Sequence, residues 1–273
     1  MPVRSAEPHL ALRTQVSRYV QLQLDVPWGE ARRHQLSALT GSVAAVVWSG
    51  EITMEGAGVD GPIMPCCMIG PLTRWHDNIL AGSLRSFCVH FTPLGANSLL
   101  HLRGCGFHDS AIALSDALDD RRAREARSWA DEVMHARSFA ERVDATDRFL
   151  LRRLRSAAAP AQLVASAVAR LARSDQRVGR VWLLAADLSC SERTLRRRFK
   201  QELGLSVKTF ARITRFQRAH AFLQGNPRAH WAEAVVRFGY VDQAHLIREY
   251  REFAGTTPPC FSAGERFLDA ALA

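Results

Sequence analysis

Residues 191–204 read SERTLRRRFKQELG, and 51 positions further on residues 242–255 read DQAHLIREYREFAG. Laid on one another, Leu195 falls on Leu246, Arg197 on Arg248, Phe199 on Tyr250, Lys200 on Arg251 and Gly204 on Gly255. Leu195, Phe199 and Leu203 in the first copy, and Leu246, Tyr250 and Phe253 in the second, recur at helical spacing and predict one buried seam per helix. Ser191 and Asp242 stand where an N-cap belongs, with Thr194 at the third helical position of the first copy. Gly204 and Gly255 sit where a glycine ends a helix, and Pro258 and Pro259 bar continuation of the second.

Each copy is preceded by a short apolar helix and a tight connection. VWLLAADL (181–188) leads to Ser189 and Cys190; WAEAVVRF (231–238) leads to Gly239 and Tyr240, where glycine supplies a positive φ. Helix, tight turn, helix is the grammar of a helix-turn-helix, here written twice. Between the copies, SVKTFARITRFQRAHAFLQG (206–225) predicts one long helix from a cap at Ser206. Its apolar positions are Val207, Phe210, Ile213 or Thr214, Phe216, Ala219, and Phe222 or Leu223. About 18 residues span about 27 Å, a rigid spacer able to set two recognition helices into major grooves one turn, about 34 Å, apart. Trp182, Phe210, Phe238 and Tyr240 are expected in the core, and Trp231 in packing.

The net charge of +9 has a location. Residues 1–158 hold 18 Lys and Arg against 17 Asp and Glu, whereas residues 159–273 hold 18 against 10. A net +8 on the C-terminal part suits a polyanion, since each phosphate neutralised releases condensed counterions.

Upstream the pattern changes. From about residue 35 to residue 91, short apolar runs (SVAAVVW at 42–48, EITMEG, PIMPCCMIG, SLRSFCVHF at 83–91) are punctuated by Gly50, Gly56, Gly58, Gly61, Pro62, Pro65, Gly70 and Pro71. That spacing predicts antiparallel β structure, a sandwich or small barrel. After Pro93 helical spacing takes over: a short stretch near Leu99, then 119 to about 136, then 138–155. In the last, Phe139, Val143, Phe149, Leu150 and Leu154 define one face, and Arg142, Arg148, Arg152 and Arg155 take others. The small-residue stretch AAAPAQ (157–162) marks a boundary. The expected division is a β-rich 1–115, a helical 116–158 suited to dimerisation, and a helical 159–273 that carries the two helix-turn-helix units.

No apolar run approaches the roughly 18–20 residues of a membrane span, and MPVRSAEPHL lacks a signal-peptide core, so a cytoplasmic address is expected. Cys66, Cys67, Cys88, Cys105, Cys190 and Cys260 show no C-x-x-C spacing and read as reduced thiols. His76, His90, His101 and His108 form no H-x-H or H-x-x-x-H pair, so no metal or other cofactor is expected. With no G-x-S-x-G elbow, P-loop or Rossmann glycines, the chain is not expected to be an enzyme.

The motifs S-E-R-T-L-x-R-x-F and F-G-Y-x-D-Q-x-H-L-x-R-E-Y, ending G-T-T-P, resemble the DNA-binding domain of the AraC family of bacterial transcription regulators over residues 178–261. The resemblance implies an α+β chain: an N-terminal cupin-like β-sandwich or barrel with trailing helices, then an all-α domain of two helix-turn-helix units on a linker helix. It implies base contacts from Arg193, Arg196, Arg197, Gln243 and Ile247, and phosphate contacts from Ser191, Lys200, His245 and Arg248. Arg196 suits guanine O6 and N7, Gln243 adenine, and Ile247 only a thymine methyl. Arg212, Arg215 and Arg218 on the linker could meet phosphates or pair within the protein. The expected partners are double-stranded DNA, a small-molecule effector, a second copy of the chain and RNA polymerase, with activation of transcription as the outcome. Two alternatives are a cupin-like metal-dependent enzyme with a DNA-binding tail, and a constitutive DNA-binding dimer without an effector.

Overall fold

The computed structural model describes residues 3–56, 61–102, 107–157, 161–173, 180–226 and 231–257. Gly58, Cys105, Pro258, Pro259, Cys260 and the middle of the 157–162 boundary, all singled out above, lie outside those residues. The chain is α+β. Eight strands, β1 (Val3–Ala6), β2 (Val16–Asp25), β3 (Arg32–Leu36), β4 (Val43–Glu55), β5 (Gly61–Pro62), β6 (Cys66–Ile69), β7 (His76–Phe91) and β8 (Ala111–Ala113), form one antiparallel sheet ordered β1-β2-β7-β4-β6-β8. The sixteen-residue β7 is its spine. It pairs β4 along one edge, and β2 and then β3 along the other.

Alternation gives this sheet two apolar faces. Tyr19, Ala44, Val46, Phe87 and Val89 turn toward α2 (Asp120–His135) and α3 (Phe139–Leu154), where Trp129 stacks on Phe149 at 5.2 Å. Val43, Ala45, Cys67 and Ile69, with Leu22, Leu24, Val47 and Leu84, fill the other face.

Several expectations are corrected here. The sheet begins at Val3, not near residue 35: VSRYVQLQLD in β2 alternates well enough to have been read as a strand. Gly50 does not end a strand. Gly50 (φ 74°) lies inside β4 at a bulge, where a Cβ would stand 2.6 Å from the Leu84 Cα, so only glycine lets β4 and β7 approach. Arg142, placed on an outer face of α3, is buried: its guanidinium donates to the Ala136 carbonyl at 2.6 Å and lies 4.7 Å from the Trp48 ring centre. Arg142 thus staples α3 to the sheet.

The C-terminal part is helical: α4 (Gln162–Arg173), α5 (Val181–Asp187), α6 (Glu192–Leu203), α7 (Val207–Gly225), α8 (Trp231–Arg237) and α9 (Gln243–Ala254), with α1 (Gly95–Leu100) following the sheet. Two cores serve it. Leu184, Leu195, Phe199, Leu203 and Phe210 belong to the first; Ile213, Phe216, Phe238, Tyr240, Leu246, Tyr250 and Phe253 to the second. α7 contributes to both, as a spacer must. Trp182 was expected in the first core and is instead 60% exposed on the outer side of α5.

The sheet domain reaches into the second core. Ala38, between β3 and β4, is buried among Ile213, Phe216 and Phe253; its N–H donates to the Phe253 carbonyl at 2.7 Å, and its carbonyl accepts from Gln217 Nε2 at 3.3 Å.

Candidate nucleic-acid interface

The two helix-turn-helix units are built by the same local chemistry. Ser191 Oγ accepts from the Thr194 N–H at 3.1 Å to start α6, and an Asp242 carboxylate oxygen accepts from the His245 N–H at 2.6 Å to start α9. Both helices end on a left-handed glycine, Gly204 and Gly255, each with φ 69°. Both turns are closed by a bond reaching back five residues, Cys190 N–H to Ala185 and Tyr240 N–H to Val235, at 3.0 Å.

The turns differ by one residue. The leading helices α5 and α8 repeat at an offset of 50, the recognition helices α6 and α9 at 51. The left-handed position is Ser189 (φ 52°) in the first turn and Gly239 (φ 67°) in the second. Two residues carry the chain from there to Ser191, and three from Gly239 to Asp242. Val241 is the added one, and it is 83% exposed. The sequence comparison at a single offset missed it; aligning the two leading helices separately would have found it.

On α6 the seam Leu195, Phe199 and Leu203 is buried, while Ser191, Arg193, Arg196, Arg197 and Lys200 are exposed. Arg196 pairs with Glu192 one turn earlier (Nε to Oε1 2.8 Å), and Lys200 Nζ donates to the Gly204 carbonyl at 2.5 Å. On α9, Gln243, Ala244 and Arg248 are exposed, whereas His245 and Ile247 are half-buried. The His245 ring packs edge-on to Tyr240, with Nε2 3.3 Å from Arg215 Nη2 and Nδ1 3.5 Å from the Val241 N–H.

A buried carboxylate that sequence reasoning passed over ties α9 to α7. Glu249 is 1% exposed, and its Oε1 accepts from Arg212 Nε and Arg215 Nη2, each at 2.8 Å. Arg212 also meets Glu252 at 2.6 Å, and Arg215 lies 4.3 Å from the Tyr240 ring centre. Burial pulls the Arg212 guanidinium down, and its bonds to Glu252 and Glu249 more than reverse that. Of the two readings open for the linker arginines, Arg212 and Arg215 take the intramolecular one; Arg218 lies over Phe238 at 5.7 Å. The signal was present in the sequence as two arginines on one helix facing a glutamate beside a seam tyrosine.

A family profile described as a helix-turn-helix domain, of the AraC type, matches residues 184–263, which begin in α5 and run past α9. The matched segment is thus a helix-turn-helix domain of the AraC type, covering less than a third of the chain. No curated protein is matched by the sequence. Among solved structures, ToxT from Vibrio cholerae aligns over 84% of this chain and 96% of its own at 8% identity (TM-score 0.49). An unsaturated-fatty-acid-bound ToxT from the same organism aligns over 84% and 92% at 11% identity (TM-score 0.47). The AraC-like transcriptional activator CuxR aligns over 85% and 88% at 13% identity (TM-score 0.32).

In this AraC-type domain both recognition helices meet the sheet domain at their C-terminal ends. A Cβ on Gly255 would stand 2.6 Å from Gln35 Nε2 and from the Trp75 ring. At the other unit, Glu202 and Gly204 line a cleft with Ser42, Pro93, Asn97 and His108, and burial raises the Glu202 carboxyl. The N-terminal ends, carrying Arg193, Arg196, Arg197, Gln243 and Arg248, are left exposed. No group of three or more metal-ligating side chains occurs among the described residues. No described helix is long and apolar enough to cross a membrane.

Proposed function

We infer that the chain is a DNA-binding transcription regulator, a reading supported by its AraC-type helix-turn-helix domain. We propose that it binds a specific operator as a homodimer, answers to a small-molecule effector, activates transcription through RNA polymerase, and does so in the cytoplasm. The observation that carries the DNA-reading part is the pairing of two N-capped recognition helices whose N-terminal ends are exposed while their C-terminal ends are docked. In this arrangement Arg193, Arg196 and Arg197 face the first major groove and Gln243 and Ile247 the second, with Ser191, Lys200, His245 and Arg248 on the backbone. Arg196 exchanges Glu192 for guanine at small cost, because an exposed pair of this spacing contributes about 0.3–0.5 kcal/mol. The cleft between Glu202 and His108 adjoins both halves, but its volume of about 50 Å³ is below the roughly 300 Å³ of a small-molecule site, so an effector there would have to open it and thereby shift their relation.

The test is selection of duplexes from a randomised library by the full-length chain, followed by titration of variants. Arg196→Ala is expected to lose about 1–3 kcal/mol and relax preference at one base pair; Arg248→Ala is expected to weaken all sequences alike and lower the salt slope by about one. Equal losses on selected and random DNA for both variants would overturn this division of roles.

A further inference from the structure

The two recognition helices share register and caps but differ in surface chemistry. At the repeat offset of the recognition helices, Arg193 corresponds to Ala244 and Arg196 to Ile247, while Arg197 and Lys200 keep cationic counterparts in Arg248 and Arg251. Just before the second cap stands Val241, 83% exposed, and Ala244 is exposed a turn later. The Asp242 carboxylate between them is tied through one oxygen to the His245 N–H, as an N-cap is. The leading end of the second helix is therefore a small apolar strip of Val241, Ala244 and Ile247, rimmed by Gln243, Arg248 and Arg251. Its counterpart is a guanidinium cluster.

An apolar strip inside a cationic rim, on a domain with net charge +8, fits a polyanion that also displays apolar groups. In the major groove of DNA the group that fits is the thymine C5-methyl. Resting on the reading that α6 and α9 enter successive grooves, we propose that the second unit selects a thymine-rich half-site through methyl contacts to Val241, Ala244 and Ile247. The first unit selects guanine by its arginines. The operator is thus chemically lopsided, and Val241, present because the second turn is one residue longer, is a specificity-determining residue.

The experiment uses the full-length chain and duplexes it enriches from a randomised library. These are resynthesised with deoxyuridine for thymidine in one half-site at a time, which removes the methyl and leaves every hydrogen-bonding group. Uracil in the second half-site is expected to weaken binding about fourfold for each contacted methyl, the apolar worth of one carbon. Uracil in the first is expected to change affinity less than twofold. Val241→Ser with Ile247→Ala should erase the thymine-to-uracil difference, with an unchanged melting temperature showing that the fold is intact. Equal affinity for thymine and uracil duplexes overturns the proposal and leaves DNA binding standing; failure to enrich any sequence overturns the underlying reading as well. Loss of transcription by the Val241 variant with its thymine preference intact would mean that a protein covers the strip, and also overturns the proposal.

Discussion

Glu249 is the residue on which the second unit's geometry turns, because one buried carboxylate oxygen holds two guanidinium groups from the linker helix. Glu249→Ala leaves Arg215, itself 5% exposed, without a counter-charge, and an uncompensated buried charge costs about 3–5 kcal/mol. Urea denaturation should register a loss of that size, far beyond the effect of removing exposed Glu192. In the sheet His90, beside Arg18 in the strand register, is held down to about 4, by burial first and Arg18 second. Its folded value lies below the unfolded one of about 6.5, so the unfolded chain takes up the proton first and stability falls as pH drops from about 6.5 towards 4. His90→Asn cannot titrate; acid melting curves of variant and parent should converge over that window. A parallel slope in both would disprove the assignment. The exchangeable side of residue-scale chemistry was legible in the sequence: Ser191, Asp242, Gly204 and Gly255 all hold the cap positions their types announce. Arg142 and Trp182 were not legible, since an arginine's stem can be buried by a neighbouring indole and a tryptophan on a short helix has no partner named by spacing alone.

At the level of elements, the turn of the first unit tolerates a left-handed serine where the second uses glycine. A side chain there costs about 1–2 kcal/mol, and glycine returns about 0.4–1 kcal/mol of unfolded-state freedom, so Ser189→Gly should stabilise by about 0.5 kcal/mol and Gly239→Ser destabilise by a similar amount. Thermal melts that move both in one direction would refute this. Helices α2 and α3 spend their apolar faces on the sheet, leaving Arg121, Arg124, Arg127, Asp131 and Arg152 exposed. A homodimer formed through them would be joined by polar groups, and sedimentation should show it weakening as salt rises; a salt-indifferent dimer would have to form elsewhere. Long helices could be read from periodicity with boundaries correct to a residue or so. The strands were harder, because Gly50 looks like a turn glycine when it is a bulge position within β4, and only the pairing of distant strands reveals that.

Over the whole molecule, the two halves touch where each recognition helix ends. None of this docking was legible in the sequence, since Gln35, Ala38 and Trp75 meet Gly255 and Phe253 across 180 to 220 residues. Gly255→Val combines a left-handed backbone with a clash against the Trp75 ring. It is expected to separate the halves as well as fray α9, which small-angle scattering and proteolysis of the full chain would report as expansion and new cleavage near residue 38; an unchanged profile would show that the contact carries no weight. The same docking has a genetic side. The tie from Ala38 to Phe253 is made by amide and carbonyl, which every ordinary residue supplies, so conventional mutagenesis would pass over it in silence. Proline alone lacks the hydrogen to donate, and because the Ala38 methyl is itself buried the informative contrast is between small residues: Ala38→Pro altering the regulator's behaviour while Ala38→Gly and Ala38→Ser leave it unchanged would expose a coupling carried by the main chain.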